Sequence, residues 1–146
     1  MNARDKTTEH IKMVGEFLDK FVSALYERAI SHDSSKLDSP EAETFEKFTP
    51  LLANTTYGSD EYKQFLKDMK PALDHHYENN RHHPEHFENG INGMTLVDLV
   101  EMFCDWQAAV KRHDDGNILN SIEINSKRFE MSDQLKQIFI NTIEGI

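Results

Sequence analysis

From Val14 to Ala29 the residues Val14, Phe17, Leu18, Phe21, Val22, Leu25 and Ala29 recur at steps of three and four, the spacing of one helix face. The same period returns along the rest of the chain, and the alternation of a half-buried strand is nearly absent. Four prolines and six glycines in 146 residues add few breaks. The expectation is all-α: a single compact helical domain over 1–146, a bundle of about six or seven helices.

Capping chemistry predicts the element boundaries. The first helix is expected to start after Thr7 or Thr8. Ser39 reads as the cap of a second helix with Pro40 at its first position, burying Phe45, Phe48, Leu51 and Leu52. NTTYGSDEY (54–62) reads as a loop whose Ser59 caps the next helix, and Pro71 breaks or restarts the run. The segment that follows turns Leu73, His76, Tyr77 and Asn80 inward, and RHHPEHFENGINGM (81–94) is loop-like. Thr95 and Asp98 form a possible capping box ahead of LVDLVEMFCDWQAAV, apolar nearly all the way round and so expected at the centre of the bundle. One shorter helix around Ile118–Phe129 and another capped by Ser132 close the chain.

Composition narrows the partners. A formal charge of −10 weighs against duplex nucleic acid, whose binders use Lys and Arg on phosphates. No apolar run approaches the roughly 20 residues that cross a bilayer, and the polar MNARDKTTEH lacks a signal-peptide core. One cysteine, Cys104, excludes an internal disulfide and a multi-cysteine zinc module, so a cytoplasmic setting is expected. A carboxylate-rich pocket still accommodates a small phosphorylated ligand when divalent cations supply the positive charge.

The candidate chemistry begins with HHYENNRHHPEH, which holds five of the eight histidines within twelve residues, His75 to His86. His76 shares a face with Leu73, Tyr77 and Asn80 and points inward, whereas His75 falls off that stripe. His82 and His83 precede Pro84, which holds a loop imidazole in direction; either is a ligand candidate, and helical phase favours His83. His86 reads as surface or as support for a ligand. On the central helix Glu101 and Asp105 are four apart among apolar neighbours. A buried carboxylate needs a cation or strong donors, so the pair reads either as salt-bridged or as metal-binding. His32-Asp33 is the third element, since adjacent side chains at a helix end can turn to one ion. Such nitrogen and oxygen ligands suit Mn, Fe, Co, Ni or Zn more than Ca, one or two ions.

Other features have ordinary readings. The nine phenylalanines and Trp106 are expected in the core, Cys104 as a small packed residue, and the acidic runs SPEAETFEKF and GSDEYK as solvated faces. In SIEINSKRF, Lys127 and Arg128 belong to the surface or to a pocket.

The order His32-Asp33, His76, His82-His83, Asp105 resembles the HD-domain superfamily of metal-dependent phosphohydrolases. HDSSK is similar to the HD-x-x-K of HD-GYP and related phosphodiesterase branches, which implies a place for Lys36 at a substrate phosphate. The segments HDSSKLDSPE, TTYGSDEYK, LDHHYENNRHHPEHFENGI, MTLVDLVEMFCDW and SIEINSKRF look like a family common in bacteriophages and bacteria whose activity is unassigned. That likeness covers nearly the whole chain and implies an HD-like fold and a metal.

HD proteins usually add a histidine upstream of the HD pair, which makes His10 of EHIKMV a candidate. A straight helix of 22 residues separates His10 from His32 by about 33 Å at ~1.5 Å per residue, so one ion cannot touch both. The expected function is a metal-dependent phosphohydrolase of a nucleotide or other small phosphoester. His32, Asp33, His76, His82 or His83, and Asp105 are its ligands, Lys36 neutralises the phosphoryl group, and Glu101 orients water or a ligand histidine. Two alternatives stand beside it: a di-iron oxygenase of HD type, and a metal-stabilised interaction module of the phage host-factor kind with no turnover.

Overall fold

The computed structural model describes residues 1–56, 58–112 and 114–146; Tyr57, inside the predicted loop 54–62, lies outside them. Among the described residues there are seven α-helices and no strand. They are α1 (Ala3–Ser31), α2 (Glu41–Ala53), α3 (Asp60–Asp68), α4 (Lys70–Asn79), α5 (Leu96–Val110), α6 (Ile118–Arg128) and α7 (Asp133–Gly145). Short 3-10 turns follow α1 at Ser34–Leu37 and fill the α4–α5 connection at Pro84–His86 and Gly90–Gly93.

The helix starts follow side-chain chemistry. Ser59 accepts from the Tyr62 N–H, Thr95 and Asp98 form the reciprocal capping box, and Ser132 accepts from the Leu135 N–H. Two predicted starts move. α1 begins at Ala3, because Asn2 and Asp5 make a capping box upstream of Thr7. α2 begins at Glu41 with Pro40 as its cap residue, and the Ser39 hydroxyl instead donates to the Glu43 carboxylate.

The main core lies where α5, α6 and α7 meet, built from Met102, Phe103, Trp106, Ile122, Met131 and Phe139. The Phe103 and Phe139 rings stack at 4.8 Å and Trp106 meets Phe139 edge-on. On the other side of the molecule Phe48, Met69 and Ala72 bury where α2, α3 and α4 pack. The polar cluster described below lies between these two packed regions, at the junction of α1's end, α5 and α4.

Three expectations about burial are corrected. Not one of the 29 residues of α1 is buried, and Phe17 and Phe21 of its apolar stripe are 61% and 43% exposed. α1 packs chiefly on α5 through its C-terminal part, so among the described residues the phenylalanines farther back have nothing to cover them. α5 is less central than its composition implies. Met102, Phe103 and Trp106 face the core, but the row Leu96, Val100, Cys104 and Ala108 faces outward, which makes Cys104 exposed. Glu41, inside a run read as a solvated face, is fully buried.

Candidate metal centre

α1 ends where the His32 N–H donates to the Arg28 carbonyl. The chain then passes through Asp33 in the left-handed region, φ 54° and ψ 16°, a conformation Asp tolerates better than most residues. That reversal lets the neighbouring side chains of His32 and Asp33 reach one centre, which regular helix geometry would forbid. His76 comes from the last turn of α4, His82 and His83 from the segment after it, and Glu101 and Asp105 from successive turns of one face of α5.

Two overlapping groups result. Asp33, His76, His82 and His83 offer ligand atoms all within 4.8 Å of one another, and so do His32, His82 and Asp105. His82 belongs to both. Asp33 Oδ1 is 3.4 Å from Nε2 of both His76 and His82, and the Nε2 atoms of His76 and His83 are 2.9 Å apart. On the other side His32 Nε2 lies 3.7 Å from Asp105 Oδ1 and His82 Nε2 lies 3.9 Å from Asp105 Oδ2. All six residues read from the sequence as metal candidates meet here, and the choice between His82 and His83 dissolves because both face the centre. A buried group of this composition could hold a metal ion.

Carboxylates behind the imidazoles fix which nitrogen faces inward. His32 Nδ1–H donates to Glu101 Oε1 at 2.9 Å, and His82 Nδ1 lies 3.2 Å from the same oxygen. Glu41 does the equivalent on the other flank, accepting from His76 Nδ1–H at 2.8 Å and from His75 Nδ1–H at 2.7 Å. With Nδ1 of His32 and of His76 so engaged, their Nε2 atoms are left for the centre. Glu101 also accepts from Arg28 at 2.7 Å, so it has the salt bridge that one of its two sequence readings gave it, and it sits behind the His32 imidazole. Arg28 reaches Asp98 as well, a fully buried carboxylate that Arg81 and the Thr95 N–H also hold.

Asp33 Oδ1 and both ring nitrogens of His82 are buried and have no hydrogen-bond partner. Native interiors seldom leave such atoms unmet, and a cation would satisfy Asp33 Oδ1 and His82 Nε2. The field at the centre favours positive charge. Asp105, Glu101 and Asp33 push His32 up to about 10 against its partial burial. Burial opposes ionisation of Asp33, Glu101 and Asp105, yet the imidazoles, with Lys36 and Arg28, hold all three below the usual carboxylate range. His83 goes the other way: burial, then His82 and His76, push it down to about 3, so it is a neutral donor at any ordinary pH.

Lys36 stands at the rim, its Nζ donating to Asp33 Oδ2 at 2.7 Å and lying 5.5 Å from the centre of the Phe45 ring. His75 is half-buried through its bond to Glu41, and His86 Nδ1–H donates to the Tyr77 carbonyl. His10 sits on the exposed, unbroken part of α1, far along the helix from His32. Lys127 and Arg128 pair on the surface with Glu123 and Glu85.

The sequence pattern of one known family matches residues 1–145. The chain belongs to the family of unknown function DUF5662. The match takes in α1 through α7, so this DUF5662 chain carries its exposed first helix as part of the family unit. No curated protein and no solved structure matches it.

Sequence reasoning missed Glu41 and Asp98. Asp98 was legible as a cap but not as the partner of two arginines. Glu41 carried no local signal, because its burial depends on α4 packing over the start of α2.

Proposed function

We propose that the cluster binds one or two divalent transition-metal ions (Mn, Fe, Co, Ni or Zn) and hydrolyses a small phosphoester, as the resemblance to HD phosphohydrolases implies. The observation that carries the reading is the pair of buried, unpartnered atoms, Asp33 Oδ1 and His82 Nε2, turned toward a centre ringed by four imidazoles and a second Asp. Asp33, His76, His82 and His83 would hold one ion, and His32, His82 and Asp105 a second. When bound, such ions polarise a phosphoryl oxygen and lower the pKa of a water toward ~7.

The chain's own groups supply the rest. Glu101 holds His32 and Glu41 holds His76 in one tautomer and one orientation, so these two imidazoles reorganise little on binding. His32 and His82, with Arg28, keep Glu101 ionised against its burial. Lys36 is the cation at the rim, its Nζ bonded to Asp33, and it would neutralise charge on a phosphoryl oxygen of the substrate. The His32 and Asp105 side chains stay 32% and 25% exposed, which leaves a small ligand a way in.

The test uses untagged protein, metal analysis as purified, reloading with Mn, Fe, Co, Ni or Zn, and a panel of nucleotides and phosphodiesters. Stoichiometric metal with turnover of at least one substrate class supports the reading. Loaded protein that leaves the whole panel intact ends the hydrolase assignment, and protein that takes up none of these metals ends the metal centre.

A further inference from the structure

α1 carries an apolar seam with no cover. Ile11, Val14, Leu18, Phe21 and Leu25 are spaced three, four, three and four apart, the a and d positions of a heptad. Phe17 and Val22 widen it, each more than 60% exposed. No charged residue interrupts the seam or its flanking positions between Ile11 and Leu25. A helix of this kind draws most of its stability from packing, and among the described residues only the C-terminal part of α1 is packed.

That part borders a groove of about 450 Å³ between α1 and α5, walled by Leu25, Ala29, Val100, Cys104 and Ala108 and ending at His32 and Asp105. Apart from Arg28 and Glu101, which pair with each other, its walls are apolar, which suits a helix face. We infer that a second copy of this chain covers the seam: two α1 helices pair antiparallel, seam against seam, and the first turns of each reach over the other copy's α1–α5 groove.

Three features point to a second copy. Leu25 belongs to both the seam and the groove wall, so the two form one continuous surface, which can meet its own copy about a two-fold axis and close on itself. The seam reads the same in both directions about Leu18, since Ile11 and Leu25 are each seven residues from it and Val14 and Val22 each four. Ile11, Val14, Phe17, Leu18, Phe21 and Val22 are all exposed, a contiguous apolar face of the kind a specific partner covers with roughly 800 Å² of its own surface. A membrane surface fits less well: α1 carries five basic and five acidic residues, whereas surface-bound helices are rich in Lys and Arg. The middle of the seam, Leu18, then lies near the two-fold axis, with Ile11 of one copy opposite Leu25 of the other. The second copy's helix thereby roofs the groove beside His32 and Asp105.

Sedimentation equilibrium at micromolar concentration tests the pairing, and the expected mass is twice the 17.0 kDa of the chain. Leu18→Glu with Phe21→Glu, both exposed in the single copy, is expected to halve that mass and expose Cys104 to thiol reagents. If this variant loses its helical spectrum, cysteine cross-linking in a Cys104→Ala background decides. Leu18→Cys is expected to link to itself, and Ile11→Cys to link only when Leu25→Cys is present. A wild-type monomer, a larger assembly, vesicle binding by single copies, or self-linking of Ile11→Cys each overturns the arrangement.

Discussion

Glu41 and His76 lie 35 residues apart in sequence and 2.8 Å apart in space, a fully buried carboxylate holding the Nδ1–H of a fully buried imidazole. The bond joins the first residue of α2 to the last turns of α4, and the other oxygen of Glu41 takes His75 in the same way. The direction of His76 Nε2 is thus set from outside the cluster. Glu41→Gln keeps the volume but removes the charge that favours the required tautomer. Metal affinity is expected to fall about 10- to 100-fold, the usual effect of losing a carboxylate behind a ligand histidine. Isothermal titration with Mn or Zn checks it, with the helical spectrum as a control on folding.

Because His82 belongs to both groups while His83 and His32 belong to one each, the single variants are unequal. His82→Ala is expected to abolish stoichiometric metal. His83→Ala leaves His32, His82 and Asp105 together, and His32→Ala leaves Asp33, His76, His82 and His83. Metal content after loading, measured per folded chain, is expected to rank His82→Ala lowest. Equal losses in the three variants would mean one ion, held by all.

Lys36 separates binding from turnover. Its Nζ neutralises Asp33 from 2.7 Å, so Lys36→Met removes a positive charge beside a ligand and is expected to leave metal affinity unchanged or higher. A group that neutralises phosphoryl charge accounts for about 100-fold in rate, and kcat/KM on any phosphoester the loaded protein accepts is expected to drop by that order. A parallel fall in metal content would place Lys36 in the structure of the site and not in its chemistry.

Much of this arrangement was legible in the sequence because it rests on local rules. Ser59, Thr95 and Ser132 announce their helices by capping chemistry, and the phase of Leu73, His76, Tyr77 and Asn80 turns His76 inward. The HD pair at the end of a periodic stripe marks a place where neighbouring side chains can converge. What escaped depends on packing between distant segments. The burial of Glu41 is decided by α4, and the salt bridges of Asp98 by Arg28 on α1 and Arg81 beyond α4. Periodicity also identifies an apolar face without saying what covers it, and so the stripe of α1 was legible while its exposure was not.

Asp98 controls stability in acid. Its carboxylate is fully buried, held by Arg28 at 2.9 Å, Arg81 at 3.1 Å and the Thr95 N–H at 2.9 Å. Burial works against ionisation, but the Thr95 N–H, Arg81 and Arg28 outweigh it and keep the group below its ordinary range. A carboxyl depressed on folding contributes stability that is fully present above its unfolded value of about 3.9 and lost as pH falls through its folded value. Asp98→Asn is expected to cost about 3 kcal/mol at neutral pH, the lower end for a broken buried pair, because Arg28 keeps Glu101 and both arginines reach solvent. Urea unfolding from pH 7 down to pH 2 gives the check: the wild-type curve falls steeply below pH 4, and the variant starts lower but declines less. Parallel curves would mean that Asp98 does not carry the acid dependence.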